Sequence, residues 1–247
     1  MGIAALRGAF GFLTRIPVGR DERAWEAFRR SPVTFPVVGY VLGALLTLPF
    51  LLPLPDPTIA VVFVLWLYFL TGIAHVDGLA DVGDALVVHG PADDRREVLK
   101  DTTVGVGALL SVVVVVTGLV LAALALAAEP HTAILLLVAG EVGAKLGMAT
   151  IACLGTATHD GLGAELTEAT RPRSVLIPTV VALPAAALTW PHPAALVALG
   201  GGLLATVTVF VWARWRLGGV NGDVFGAGNE IARLVALHVG VIAWTGL

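Results

Sequence analysis

The chain has a single cysteine, Cys153, in 247 residues. One thiol excludes an internal disulfide framework and a cysteine-built zinc site. Charge is also scarce. Asp, Glu, Lys and Arg make up 13% of the chain, where a soluble domain carries about 25%. Basic residues are outnumbered, 15 Lys and Arg against 18 Asp and Glu, and the net charge of −3 argues against a surface that tracks nucleic-acid phosphates. There is no P-loop, no G-x-G-x-x-G set between a strand and a helix, and no G-x-S-x-G. The six histidines show no metal-ligand spacing. Neither an internal repeat nor a long linker divides the chain, so residues 1–247 read as one domain.

Apolar side chains take the place of charge. They make up 57% of the residues before the 29 glycines are counted, and mean hydropathy is +0.90. A water-soluble fold of this size could not hide so much apolar surface, which leaves an integral membrane protein. A bilayer-crossing helix needs about 20 apolar residues. Such runs lie at Val33–Leu54, Thr58–Ile73, Gly105–Ala128, Thr132–Leu154, Val175–Trp190 and Pro193–Ala213, and a shorter one, Ile231–Leu247, makes a seventh. The expected fold is an all-α, polytopic bundle of six to seven transmembrane helices.

Its connections alternate in charge. Those at Pro53–Pro57, Glu129–His131 and Trp190–Pro193 contain no Lys or Arg. Arg7, Arg15, Arg20, Arg23, Arg29 and Arg30 precede the first run; Arg95, Arg96 and Lys100 follow the second; Arg171 and Arg173 follow the fourth; Arg214, Arg216 and Arg233 flank the last connection. Basic connections stay in the cytoplasm, so the N-terminus and these segments are expected there. Ile3, Leu6, Phe10 and Leu13 recur at helical spacing beside Arg7 and Arg15. That pattern, with no small-residue cleavage site, reads residues 1–30 as an interfacial amphipathic segment instead of a secretory signal.

Acidic residues are few, so their clustering is informative. In His75-Val76-Asp77-Gly78-Leu79-Ala80-Asp81-Val82-Gly83-Asp84, a helix would set Asp77, Asp81 and Asp84 at i, i+4 and i+7 on one face. Three such carboxylates repel one another unless a cation lies between them, and hard oxygen ligands suit Mg²⁺. The plain alternative is a solvated acidic turn beside a membrane helix. A second cluster, Gly218-Gly219-Val220-Asn221-Gly222-Asp223 continuing to Glu230, combines glycines that admit close approach of a phosphate with two acids seven apart. A glycine-rich turn can equally serve packing. In the third, Arg95 through Gly105, the basic residues could hold a diphosphate and Asp101 could add a metal ligand or base; an ordinary inner loop would look the same. Glu141 and Lys145, i and i+4 inside the fourth run, are either functional or a self-neutralising pair. His159-Asp160-Gly161-Leu162-Gly163 is a weaker polar cluster. Clustered Asp with nearby Arg at one membrane face suits phosphoryl or nucleotidyl transfer.

These motifs resemble those of the cobalamin synthase family, the adenosylcobinamide-GDP ribazoletransferases of vitamin B12 assembly. The similar stretches nearly span the chain: Phe12-Leu13-Thr14-Arg15-Ile16-Pro17-Val18, Thr34-Phe35-Pro36-Val37-Val38-Gly39, His75 to Asp84, Arg96 to Asp101, Asp160 to Gly163, and Leu217 to Asp223 continuing to Glu230. The sequence departs from the family pattern at Thr103, where an Arg is common, and at Glu141 and Lys145, in a span that often carries an Arg. The resemblance implies a Mg²⁺-dependent transfer. A ribose hydroxyl of α-ribazole, or of its 5′-phosphate, attacks the cobinamide-proximal phosphorus of adenosylcobinamide-GDP and releases GMP. It further implies metal ligands Asp77, Asp81 and Asp84; catalytic roles for His75 and for Asp101 or Asp223 as proton acceptor; and substrate contacts from Arg15, Arg96, Lys100, Asn221, Gly222 and Glu230. The expected partners are those two substrates and the lipid bilayer, with no nucleic acid; a homo-oligomer or a corrinoid-assembly complex stays open. The expected location is the cell membrane, with the site on the cytoplasmic face.

Two other readings compete. A CDP-alcohol phosphotransferase also uses D-G-x-x-A on a membrane helix, but its pattern continues with Arg, where Asp81 follows Ala80 here. A cation-coupled transporter could use Glu141 and Lys145, although no repeated halves are visible.

Overall fold

The computed structural model describes residues 2–19, 21–101 and 103–246. Arg20, Thr102 and Leu247, which belong to the basic N-terminal set, the Arg95–Gly105 loop and the last apolar run, lie outside the described residues. Among the described residues the chain is helical, with no strand and one isolated bridge between Ala157 and Val220. Two short helices, α1 (Ile3–Leu13) and α2 (Glu22–Arg29), open the chain. There follow α3 (Thr34–Leu45), which runs on through a 3-10 turn to Leu51, α4 (Asp56–Thr71) and α5 (Ala74–Val87). Next come α6 (Ala92–Val98), α7 (Val106–Ala127), α8 (Pro130–Leu154) and α9 (Leu162–Glu168). The chain ends with α10 (Leu176–Ala182) between two 3-10 turns, α11 (Ala194–Arg216) and α12 (Gly222–Gly246).

Valine-rich α7 shows why helix forms here. Five consecutive valines are poor helix formers in water, but a chain in hydrocarbon must satisfy every backbone group internally. Its Leu109, Leu110, Val113, Val114 and Leu121 are exposed and suited to lipid. Central α8 is the opposite case, buried over most of its length. Gly140 abuts Ala236, Gly143 the carbonyl of Leu199 and Gly147 the side chain of Thr206, so small residues let α11 and α12 approach closely.

Among the described residues, four segments are long and apolar enough to cross a membrane: Thr34–Leu51, Val106–Ala127, Pro130–Leu154 and Ala194–Arg216. A fifth is counted if α4 and α5 form one span, but they meet at 99°. This is fewer than the six to seven expected. The run Val175–Trp190 contains Pro178 and Pro184, which remove backbone donors, and it is split into one short helix and 3-10 turns. In α12, Glu230 and Arg233 lower the apolar character of a helix that packs inside the bundle.

The basic segments gather at one end. The Arg15 backbone N–H donates to Leu70 O at 2.6 Å, Trp25 Nε1 to Glu165 Oε2 at 2.5 Å, and Arg96 Nη1 to Leu217 O at 2.8 Å. The helices α1 and α2 therefore form a docked helical hairpin. Phe12, Trp25, Phe28 and Phe35 join in ring contacts of 5.2 to 5.5 Å. At the other end His192 packs on Trp244.

Candidate active site

The bend between α4 and α5 lies at Gly72, whose φ of +73° suits glycine. It turns α5 so that the small residues of its Asp-Gly-Leu-Ala-Asp stretch meet the start of α12. Gly78 lies against the Asp223 backbone, and Gly226 against the His75 backbone. Between α11 and α12, the turn at Gly218 is followed by Val220, which pairs with the α8–α9 connection: Thr158 N–H donates to Val220 O at 3.0 Å, and Val220 N–H to Thr156 O at 2.9 Å. Asn221 Oδ1 then accepts from Val224 N–H at 3.1 Å, capping α12, and its Nδ2 donates to Asp223 Oδ2 at 2.6 Å. Two acidic motifs, distant in sequence, become one site.

Asp77 is exposed, and Asp81 and Asp223 are half-buried. Burial, followed by the nearby charges of Asp223, Asp77 and Asp84, pushes the Asp81 carboxyl up to about 6. Burial also raises Asp223, against the opposing hydrogen bond from Asn221. Neither group lies in any of the four straight apolar spans. The third aspartate expected in the metal grip is engaged elsewhere. Asp84 Oδ2 accepts from Gly105 N–H at 2.7 Å and Oδ1 from Ala108 N–H at 2.9 Å, so this carboxylate caps α7. Among the described residues, no three His, Cys, Asp or Glu side chains are gathered so as to hold a metal ion by themselves. The crowded pair Asp77 and Asp81 nonetheless suits Mg²⁺, which is commonly held by one or two carboxylates plus substrate phosphates and water.

The remaining expected residues divide. Arg15 is exposed, its stem lying over Gly72. Gly222 is exposed, with open space where a Cβ would stand. Arg96 is tied to Leu217 O and Asp93, bracing the last connection. Lys100 and Asp101 are exposed at the end of α6, where Asp101 Oδ1 accepts from Thr103 N–H. Glu230 differs from expectation: it has no exposed surface with which to meet a substrate.

Glu230 belongs to a buried network that extends the Glu141–Lys145 pair. Lys145 Nζ donates to Glu141 Oε2 at 3.1 Å and to Asn229 Oδ1 at 2.6 Å. Arg233 bonds both Glu141 oxygens and, at 2.6 Å, Glu230 Oε1. Asn229 Nδ2 reaches Glu230 Oε1 and His75 Nδ1. Two carboxylates and two cations balance, as buried charge requires. Sequence reasoning missed Asn229 and assigned Arg233 to a basic connection. Its i, i+3 spacing from Glu230 was the available signal.

Comparison with known proteins decides among the readings. The family model for cobalamin-5-phosphate synthase matches residues 5–241. The chain belongs to that family. Proteins named adenosylcobinamide-GDP ribazoletransferase are similar along its length: that of Halorubrum lacusprofundi is 53% identical over 99% of both chains, and that of Haloquadratum walsbyi 46% over 99% of both. The protein of that name from Halobacterium salinarum is 51% identical over 77% of this chain and 96% of its own. No solved structure matches. Membership in the cobalamin-5-phosphate synthase family favours neither the phospholipid enzyme nor the transporter, and Lys145 is closed into an ion network with Glu141, Arg233 and Glu230.

Proposed function

We propose that this chain joins adenosylcobinamide-GDP and α-ribazole, or α-ribazole 5′-phosphate, in the final assembly step of cobalamin, and that the reaction takes place where α5 crosses α12. The observation that carries this reading is the meeting of Asp77 and Asp81 with Asp223 across Gly78, in a chain that matches the family over residues 5–241. The ribose hydroxyl forms a new bond to the cobinamide-proximal phosphorus, and the bond from that phosphorus to the oxygen of GMP breaks. Asp223 accepts the hydroxyl proton. Its raised affinity for a proton makes it a better base, and Asn221 holds it in place. Asp77 and Asp81 would hold Mg²⁺, which when bound neutralises charge on the diphosphate. Arg15, exposed beside the α4–α5 bend, supplies a guanidinium for phosphate oxygens.

The apolar helices support a location in the cell membrane, and the basic residues of the segments around the site support a cytoplasmic face for it under the positive-inside rule. The test is incubation of the purified protein in lipid nanodiscs with Mg²⁺, adenosylcobinamide-GDP and α-ribazole, followed by mass detection. A cobalamin product with equimolar GMP is expected. GMP without a joined corrinoid, or no reaction, would overturn the reading.

A further inference from the structure

His75 lies one helical turn before Gly78, and the buried network reaches it through one hydrogen bond. Lysine carries only donors, so the Asn229 atom 2.6 Å from Lys145 Nζ must be the carboxamide oxygen. That orientation turns Asn229 Nδ2 toward His75 Nδ1 at 3.2 Å and Glu230 Oε1 at 3.1 Å, one N–H for each. An imidazole nitrogen facing an N–H donor must accept. A proton on Nδ1 would instead oppose Asn229, and the Glu230 oxygen, 4.0 Å away, is beyond hydrogen-bond reach. The ring proton is thereby left on Nε2. Nε2 has no hydrogen-bond partner among the described residues, and the ring keeps a small exposed surface, 11% of the side chain, so this edge is not sealed off.

We infer that Lys145 and Asn229 are positioning residues that fix His75 as the Nε2–H tautomer, so that His75 meets the substrate diphosphate as a hydrogen-bond donor and not as a base. The inference rests on the transferase reading for its ligand and on the network alone for the tautomer. Fixed donors aimed at phosphate oxygens stabilise charge that shifts during transfer without having to reorganise.

Two measurements on the full chain in nanodiscs test it. In ¹⁵N NMR of histidine-labelled protein, with the His75 resonances assigned by their loss in His75→Gln, the expected ring at neutral pH carries hydrogen on Nε2 alone. Asn229→Asp, which puts an acceptor opposite Nδ1, should move the proton to Nδ1. A wild-type ring protonated on Nδ1, or on both nitrogens, overturns the relay whether or not any variant folds. In the transfer assay, His75→Ala should lose roughly 100-fold in kcat. Glutamine can still offer an N–H where Nε2 stands, so His75→Gln should stay within about tenfold of wild type, as the loss of one well-placed bond's geometry allows. A folded His75→Gln protein as slow as His75→Ala overturns the donor role. A wild-type protein that shows the expected tautomer but forms no corrinoid product overturns the transferase reading and leaves the relay standing.

Discussion

Gly78 of α5 lies flat against Asp223 of α12: a Cβ at position 78 would stand 2.7 Å from the Asp223 Cα. That close approach is what brings the two acidic motifs together. Gly78→Val should therefore separate them. Overpacking of this kind costs about 1–3 kcal/mol, and the misplaced carboxylates should cost about 100-fold in transfer rate. Thermal unfolding and product formation on the same preparation check both parts. Wild-type activity in a folded Gly78→Val protein would remove the crossing from the mechanism.

Asp81 and Asp84 share one helix but should fail differently when changed. Asp84→Ala uncaps α7 and should lower stability by about 1 kcal/mol or more, with the remaining activity following the folded fraction. Asp81→Asn should abolish transfer while leaving the melting temperature unchanged or higher, because it removes a crowded charge. Melting curves paired with turnover separate the two. The opposite pattern would return Asp84 to the metal and make Asp81 structural.

The raised Asp81 carboxyl has a pH signature. Its ordinary value is 3.8, and in the fold it is pushed up to about 6. The folded state holds this proton more tightly, so stability falls as pH rises between these values and the repulsion persists above them. Mg²⁺ should raise the melting temperature above pH 6 and do so progressively less toward pH 4. A Mg²⁺ effect independent of pH, or one that survives Asp81→Asn, would count against the assignment.

The buried network should tolerate balanced changes better than single ones. Arg233→Leu leaves Glu141 and Glu230 with Lys145 alone, and breaking a buried pair costs about 3–5 kcal/mol. Little monodisperse protein should be recovered in detergent. Replacing Glu230 with Gln and Arg233 with Met together keeps the Glu141–Lys145 pair balanced, and size-exclusion profiles should show more of the yield restored. No difference between the single and double variants would mean that shape, and not charge, governs the core.

The placement of the two ends can be read from cysteine labelling in intact cells, because native Cys153 is buried. With a membrane-impermeant maleimide, Glu129→Cys should react from outside and Asp160→Cys only after permeabilisation. Reversed accessibility would put the site on the external face.

From the sequence alone came the helical character, the membrane, the Asp77–Asp81–Asp84 stripe and the glycine-rich Asn221–Asp223 turn. These rest on hydropathy and on spacings of three to seven residues, which local periodicity records. Among the described residues four or five helices are long and apolar enough to cross, where the sequence leads to an expectation of six to seven spans, because a run of apolar residues does not show that Pro178 and Pro184 interrupt its helix, or that α4 turns by 99° into α5. Only the tertiary structure decided that Asp84 turns to the α7 N-terminus, that Asp223 joins Asp77 and Asp81, and that Lys145 reaches Asn229, 84 residues on. Those choices depend on which helices touch. In a bundle where nearly every helix is apolar, contact is set by small residues and by the partners a buried charge must find, and local pattern shows the pairs within one helix but not which other helix completes them.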